Sequence, residues 1–193
     1  MRRTRRQFVV SLAGAWTAVA LPRAAAAAGT KSTARKAAIL ARALSYERSL
    51  PERAGSSVGL TVVYNPSSSS SKNEAEAWAR AFGSLESVRI SGKPLAVSMA
   101  PVGAGLDSHL DDTKGDVLVA VDGTQPFLTY LKKITRGRGM LSIGSLRELV
   151  EGGLTLGVYD DGDKLKIVVN LKAAGREGAR FSSKLLKLAD IIR

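Results

Sequence analysis

The sequence predicts an α/β fold: a single domain on a mostly parallel central sheet flanked by helices, with a C-terminal antiparallel hairpin and a closing helix. Three observations carry this expectation. Short β-branched runs, VGLTVVY at 58–64 and DVLVAV at 116–121, alternate with stretches whose apolar residues recur at helical spacing. The connections between them are short, which favours right-handed βαβ units and parallel strands. The chain has 193 residues and is 45% hydrophobic, enough for one sizeable core.

The first 28 residues read as an export address. Thr4-Arg5-Arg6-Gln7-Phe8-Val9 matches a twin-arginine signal, in which Arg5, Arg6 and Phe8 are the read positions. The apolar run from Val9 to Leu21 is too short to cross a bilayer, which takes about twenty residues. Alanines after Pro22-Arg23 offer A-x-A cleavage sites. The expected organisation is a signal at 1–28 and an α/β domain at 29–193, delivered to the periplasm and not embedded in the membrane once cleaved.

Residues 30–50 predict a helix with Ile39, Leu40, Ala43 and Leu44 on one stripe, stopped by Pro51. Tyr46, Glu47 and Arg48 at its end form a polar–aromatic cluster, either a helix-end salt bridge or a contact site. After the strand at 58–64, Asn65-Pro66 and five serines read as a surface loop, with Ser71 capping a helix and Glu74 reaching back. Such a loop, at the carboxyl end of a central strand, is where α/β folds commonly bind ligands, so Asn65 and Ser71 are candidates. Trp78 and Phe82 fall on the buried face of that helix.

Strand material comes next at 87–90 and 95–100, then a short helix at 106–112 and a strand at 116–121. The helix after it carries Pro126 in its first turn and Lys132, Lys133, Arg136 and Arg138 near its end, where cations complement the helix dipole. A strand at 140–143 leads to a second capping-box signature, Ser145-Leu146-Arg147-Glu148. Residues 154–159 and 164–170 predict the hairpin, and Asn170 caps the helix after it. Ser182-Ser183 open a last helix with Leu185, Leu188, Ala189 and Ile192 buried.

Composition narrows the chemistry. There is no cysteine, so disulfides and thiolate chemistry are excluded. The single histidine, His109, lacks the second ligand a metal site needs, and no metal or other cofactor is expected. The net charge of +12 falls to +7 without the first 28 residues, and the rest is not gathered into a stripe, which argues against nucleic acid. No nucleophile–base motif is present, so no catalytic residue is assigned and an enzyme is not expected.

The C-terminal block from 139 to 193 resembles the YfiR-like (YfiR/HmsC-like) family of periplasmic proteins. Val169, Asn170, Leu171, Ala173, Ala174, Ser182, Ser183, Leu185, Leu186, Leu188 and Ala189 match its motif. Capping and turn hydrogen bonds account for Asn170, Ser182 and Ser183 without any site. The resemblance implies a non-enzymatic regulatory or accessory protein like the repressors that bind the periplasmic part of a membrane-bound diguanylate cyclase or sensor kinase, with a homodimer as a further assembly. This chain departs from the family's best-understood member in lacking cysteines and in carrying SYERSLP at 45–51 in place of an aromatic-rich helix end. The alternative is a periplasmic small-ligand binding protein serving uptake, with its pocket at the serine loop.

Overall fold

The computed structural model describes residues 23–85 and 87–193, with side chains from Lys31 onward. Arg5, Arg6 and Phe8 lie outside the described residues. The chain enters through a long helix, α1 (Arg23–Leu44), and a single turn, α2 (Leu50–Arg53). Pro51 does not stop the first helix. It sits in the opening turn of α2, where its missing N–H removes no helical bond.

The two β-branched runs become adjacent central strands, β1 (Val58–Tyr64) and β4 (Gly115–Ala120). Between them come α3 (Ser69–Gly83), the short strand β2 (Arg89–Ile90), β3 (Lys93–Pro101) and α4 (Leu106–Asp112). A 3₁₀ turn (Gln125–Phe127) holding Pro126 leads into α5 (Leu128–Arg138), followed by β5 (Leu141–Gly144), α6 (Arg147–Glu151) and the hairpin of β6 (Leu156–Asp161) and β7 (Lys164–Asn170). The chain closes through α7 (Leu171–Arg176), α8 (Ser183–Leu186) and β8 (Ala189–Ile192).

These strands form one sheet in the order β2-β3-β1-β4-β5-β6-β7-β8. β3, β1, β4, β5 and β6 run parallel, β6–β7 is the antiparallel hairpin, and β8 runs parallel to β7. Period-two alternation divides the core between the two faces. Leu60, Val62, Val117 and Val119 pack with Leu40 and Leu44 of α1 and Trp78 and Phe82 of α3. Val63, Leu118 and Ala120 pack with Leu106, Leu110, Leu131 and Leu149 on the other face. Trp78 stacks on Phe82 and donates its Nε1–H to Glu74 at 3.2 Å, so its polar edge is satisfied within the core.

Three further local expectations are corrected. The helix cap in the serine loop is Ser68, whose Oγ accepts from Ser71 N, so the helix begins three residues earlier than its sequence signature suggests. Ser145 does not cap α6: Leu146 occupies that position and supplies no side-chain bond. The last helix is a single turn, and the residues after it add a parallel strand to the open edge of β7. β-branched Ile191 and Ile192 suit that edge, and Leu188, expected to be buried, is 75% exposed.

Candidate functional site

The order β3-β1-β4 makes the carboxyl ends of β1 and β4 a topological switch point, the usual crevice for ligands in open α/β sheets. Here it is filled by the chain itself. Ser71 is buried, accepts from Asn65 N at 3.1 Å and donates to the Asp122 carbonyl at 2.6 Å. Gly123 (φ +82°) lies against it, and a Cβ there would stand 3.1 Å from Ser71 Cβ. Asn65 closes its own turn by accepting from Ser67 N at 3.0 Å. Both candidate residues are thus brought together, as the stitch between two loops.

Tyr46, Glu47 and Arg48 separate into different roles. Glu47 is buried, and its carboxylate accepts from Ser49 N at 3.0 Å, from Arg180 N at 2.6 Å and from Leu50 N. Arg53 stands 3.6 Å from it and donates Nη1–H to the carbonyls of Gly139 and of Glu177. Backbone bonds from Arg48 N to Arg180 O and from Ser182 N to Tyr46 O lay the end of α1 along residues 180–182. Arg48 itself is exposed. Asn170 accepts from Ala173 N and donates to Val150 O, Ser182 accepts from Leu185 N, and Ser183 is the first residue of α8.

A second buried carboxylate, Glu177, carries no sequence signature. It accepts from Thr135 Oγ1 (2.8 Å), Ser142 Oγ (2.6 Å), Ser142 N (2.9 Å) and Thr155 Oγ1 (2.6 Å). Three hydroxyls and one amide satisfy it, with no cation on its oxygens among the described residues, and these donors lie 22 to 42 residues away. Nothing local in the sequence pairs them. His109 also finds a partner, its Nε2 lying 3.1 Å from Ser98 Oγ, with Ser98 in turn 3.0 Å from Thr61 Oγ1.

Two clefts stand open away from these networks. The first is an apolar groove of about 370 Å³ lined by Ile39, Arg42, Ala43, Tyr46, Ile167, Leu185 and Leu188, between the second half of α1 and the β7–β8 edge. Exposed Leu188 stands at it, so apolar surface is offered to solvent rather than packed away. The second, of about 310 Å³, lies where β5 and β6 end and is lined by Lys36, Ser145, Leu146, Arg147, Glu148, Tyr159 and Asp160. Its charges are held by Lys36–Asp160 (2.6 Å), Arg147–Glu151 (2.7 Å) and the Arg147 guanidinium 4.6 Å above the Tyr159 ring. The Tyr159 hydroxyl donates to Asp190, and that bond raises its pKa above the ordinary tyrosine value. Among the described residues no group of three or more His, Cys, Asp or Glu is placed to hold a metal ion.

No curated protein matches the chain in sequence. Among solved structures, 70% of it superimposes on 54% of a conserved domain protein from Vibrio cholerae (TM-score 0.53, 16% identity). The ABC domain in complex with L-Trp from Streptococcus pneumonia matches 83% of it with 60% of its own length (TM-score 0.58, 15% identity). CD0873, a substrate binding protein with adhesive properties from Clostridium difficile, matches 75% with 57% of its own (TM-score 0.53, 15% identity). The chain therefore spans little more than half the length of these structures, and the likeness is one of fold. A family model described as YfiR/HmsC-like matches residues 33–190, from within α1 to β8. The chain belongs to the YfiR/HmsC-like family.

Proposed function

We propose that the protein is a non-enzymatic periplasmic regulator that acts by contact on the periplasmic part of an inner-membrane diguanylate cyclase or sensor kinase. The observation that carries this reading is the family match over residues 33–190, nearly the whole described chain. The groove of Tyr46, Leu185 and Leu188 supplies a surface suited to the contact, since an exposed apolar patch edged by a cation, Arg42, is a common form of protein-docking site. Residues 1–28, with Arg5, Arg6 and Phe8, are the proposed twin-arginine address, and no helix among the described residues is long and apolar enough to cross a membrane. The uptake reading draws less support, because the serine loop that would hold its ligand is stitched shut by Ser71 and Asp122.

Deleting the gene and measuring cellular cyclic-di-GMP, with the candidate cyclase expressed, tests the cyclase form of the proposal. A change in level, restored by wild type but not by Leu188→Glu, is expected. An unchanged level overturns it. Fractionation of cells carrying Arg5→Lys and Arg6→Lys together tests the address: the protein should stay in the cytoplasm. Light scattering on the exported protein tests the proposed homodimer.

A further inference from the structure

The geometry points to a binding site for a small ligand bearing an anionic oxygen group, a carboxylate or a phosphate, in the cleft where β5 and β6 end beside α1. Ser145 is the first sign of it. This residue is 2% exposed, and its Oγ is buried with no hydrogen-bond partner among the described residues, while its amide is committed to the Ala120 carbonyl. Buried hydroxyls in folded proteins are almost always bonded, and leaving one unmet is unfavourable, so packing alone gives no reason for serine at this position.

The neighbours are donors with capacity to spare. Lys36 lines the same cleft with its side chain only 14% exposed, and Asp160, at 2.6 Å, is its one partner among the described residues. An ammonium carries three donors, so two are left over. Arg147 uses Nε on Glu151 at 2.7 Å and holds its Nη1 3.7 Å from Asp190, which leaves part of its fork of donors unused. The Tyr159 hydroxyl is directed to Asp190, and the ring forms a floor under the Arg147 guanidinium.

Four carboxylates border these donors, and three of them are already engaged. Asp160 is taken by Lys36, Glu151 by Arg147, and Asp190 by Tyr159 and Arg147, while Glu148 is exposed at the rim, where solvent weakens its repulsion of an anion. The spare donors of Lys36 and Arg147 beside an unmet hydroxyl are complementary to an oxyanion. Its volume of about 310 Å³ sits at the small end of ligand pockets and limits the guest to a compact metabolite. The site lies apart from the groove at Leu188, and its occupancy does not depend on the proposed regulatory function.

The test is a thermal-shift and calorimetric titration of the exported protein with inorganic phosphate and with succinate, against potassium chloride at matched ionic strength. Stabilisation by phosphate alone assigns a phosphate group, and by succinate alone a carboxylate. Stabilisation by neither overturns the site. Ser145→Ala should weaken binding about tenfold, the worth of a hydrogen bond to a charged group. The same variant should leave the ligand-free melting temperature unchanged or raised, because the lost hydroxyl had no partner. Full affinity in that variant, or a clear loss of ligand-free stability, would overturn the assignment. Glu148→Gln should tighten binding by a few-fold through removal of a like charge, and weaker binding in it would count against an anion as the guest.

Discussion

Replacing Glu177 separates a structural carboxylate from a dispensable one, and its cost can be worked from the bonds it accepts. Glu177→Ala removes the acceptor of Ser142 N, Ser142 Oγ, Thr135 Oγ1 and Thr155 Oγ1. Thr135 can turn to the Lys132 carbonyl, now 3.4 Å away. Ser142 N and the hydroxyls of Ser142 and Thr155 have no such alternative among their described contacts. Each buried donor left unmet costs about 1–3 kcal/mol, and partial relaxation brings three of them to about 3–5 kcal/mol. Glu177→Gln should behave differently. Its carbonyl oxygen can serve Ser142 N and Thr155 Oγ1, the side now held by Oε2, while its amide donates to the hydroxyls of Thr135 and Ser142, which can also accept. Only the Ser142 hydroxyl proton is then left without an acceptor, so the cost should fall to about 1–2 kcal/mol. Urea and thermal denaturation of both variants check this, with melting temperatures lowered by about 10 °C for alanine and about 3 °C for glutamine. Equal losses in the two variants, or an unaffected alanine variant, would refute the account of Glu177 as an acceptor hub.

Three further outcomes rest on named contacts. Gly59→Ala should destabilise by about 1–3 kcal/mol in denaturant melts, since its Cβ would stand 2.3 Å from the Lys114 carbonyl oxygen, a backbone atom held by a residue at φ +49°. Leu188→Ser should change stability by less than about 0.5 kcal/mol by the same assay, because the side chain is 75% exposed, while weakening capture of the proposed partner. Asp116→Asn should alter the pH dependence of stability. Burial raises the Asp116 pKa above its ordinary value of 3.8, with the Gly59 N–H bond and the charges of Arg53 and Lys93 pulling it partly back. The folded state therefore binds the proton more tightly than the unfolded chain, and stability falls as pH rises from the unfolded value through the folded one. Asparagine keeps the bond to Gly59 N and removes that slope. Its advantage over wild type should be absent below the unfolded pKa, grow through this window and level off above it, and a gain larger in acid than at neutral pH would contradict it.

Elements whose cause is local were legible in the sequence. VGLTVVY and DVLVAV announce buried strands because β-branching and continuous apolarity are properties of the run itself. Asn170 and Ser182 announce caps because a cap bonds only three residues onward. The misread positions fail where several local partners compete or where the partner is remote. Five consecutive serines offer five caps, and the winner, Ser68, is set by Ser71 being drawn down onto Asp122, 51 residues away. The helical spacing of Leu185, Leu188 and Ile192 is real, yet the unpaired edge of β7 recruits Ala189–Ile192 as a strand, and tertiary pairing outweighs weak helical preference over one turn.

The same distinction explains why the candidate surface shifted. Glu47 and Ser71 stand out in the sequence because polar residues beside secondary-structure ends look available, but both are consumed inside the fold. Glu47, Arg53 and Glu177 instead form a chain of polar contacts that fastens the end of α1 to the amino end of β5 and to residues 177–180. That fastening has a consequence for the exposed groove. Its walls come from α1 on one side and from Ile167, Leu185 and Leu188 on the other, and the bonds at Glu47 and at Ser182 hold the two sides in register. Rigid walls reduce the ordering entropy lost when a partner binds. If the groove is the proposed contact surface, the buried carboxylates serve it without touching it, by holding Tyr46 opposite Leu185 before the partner arrives.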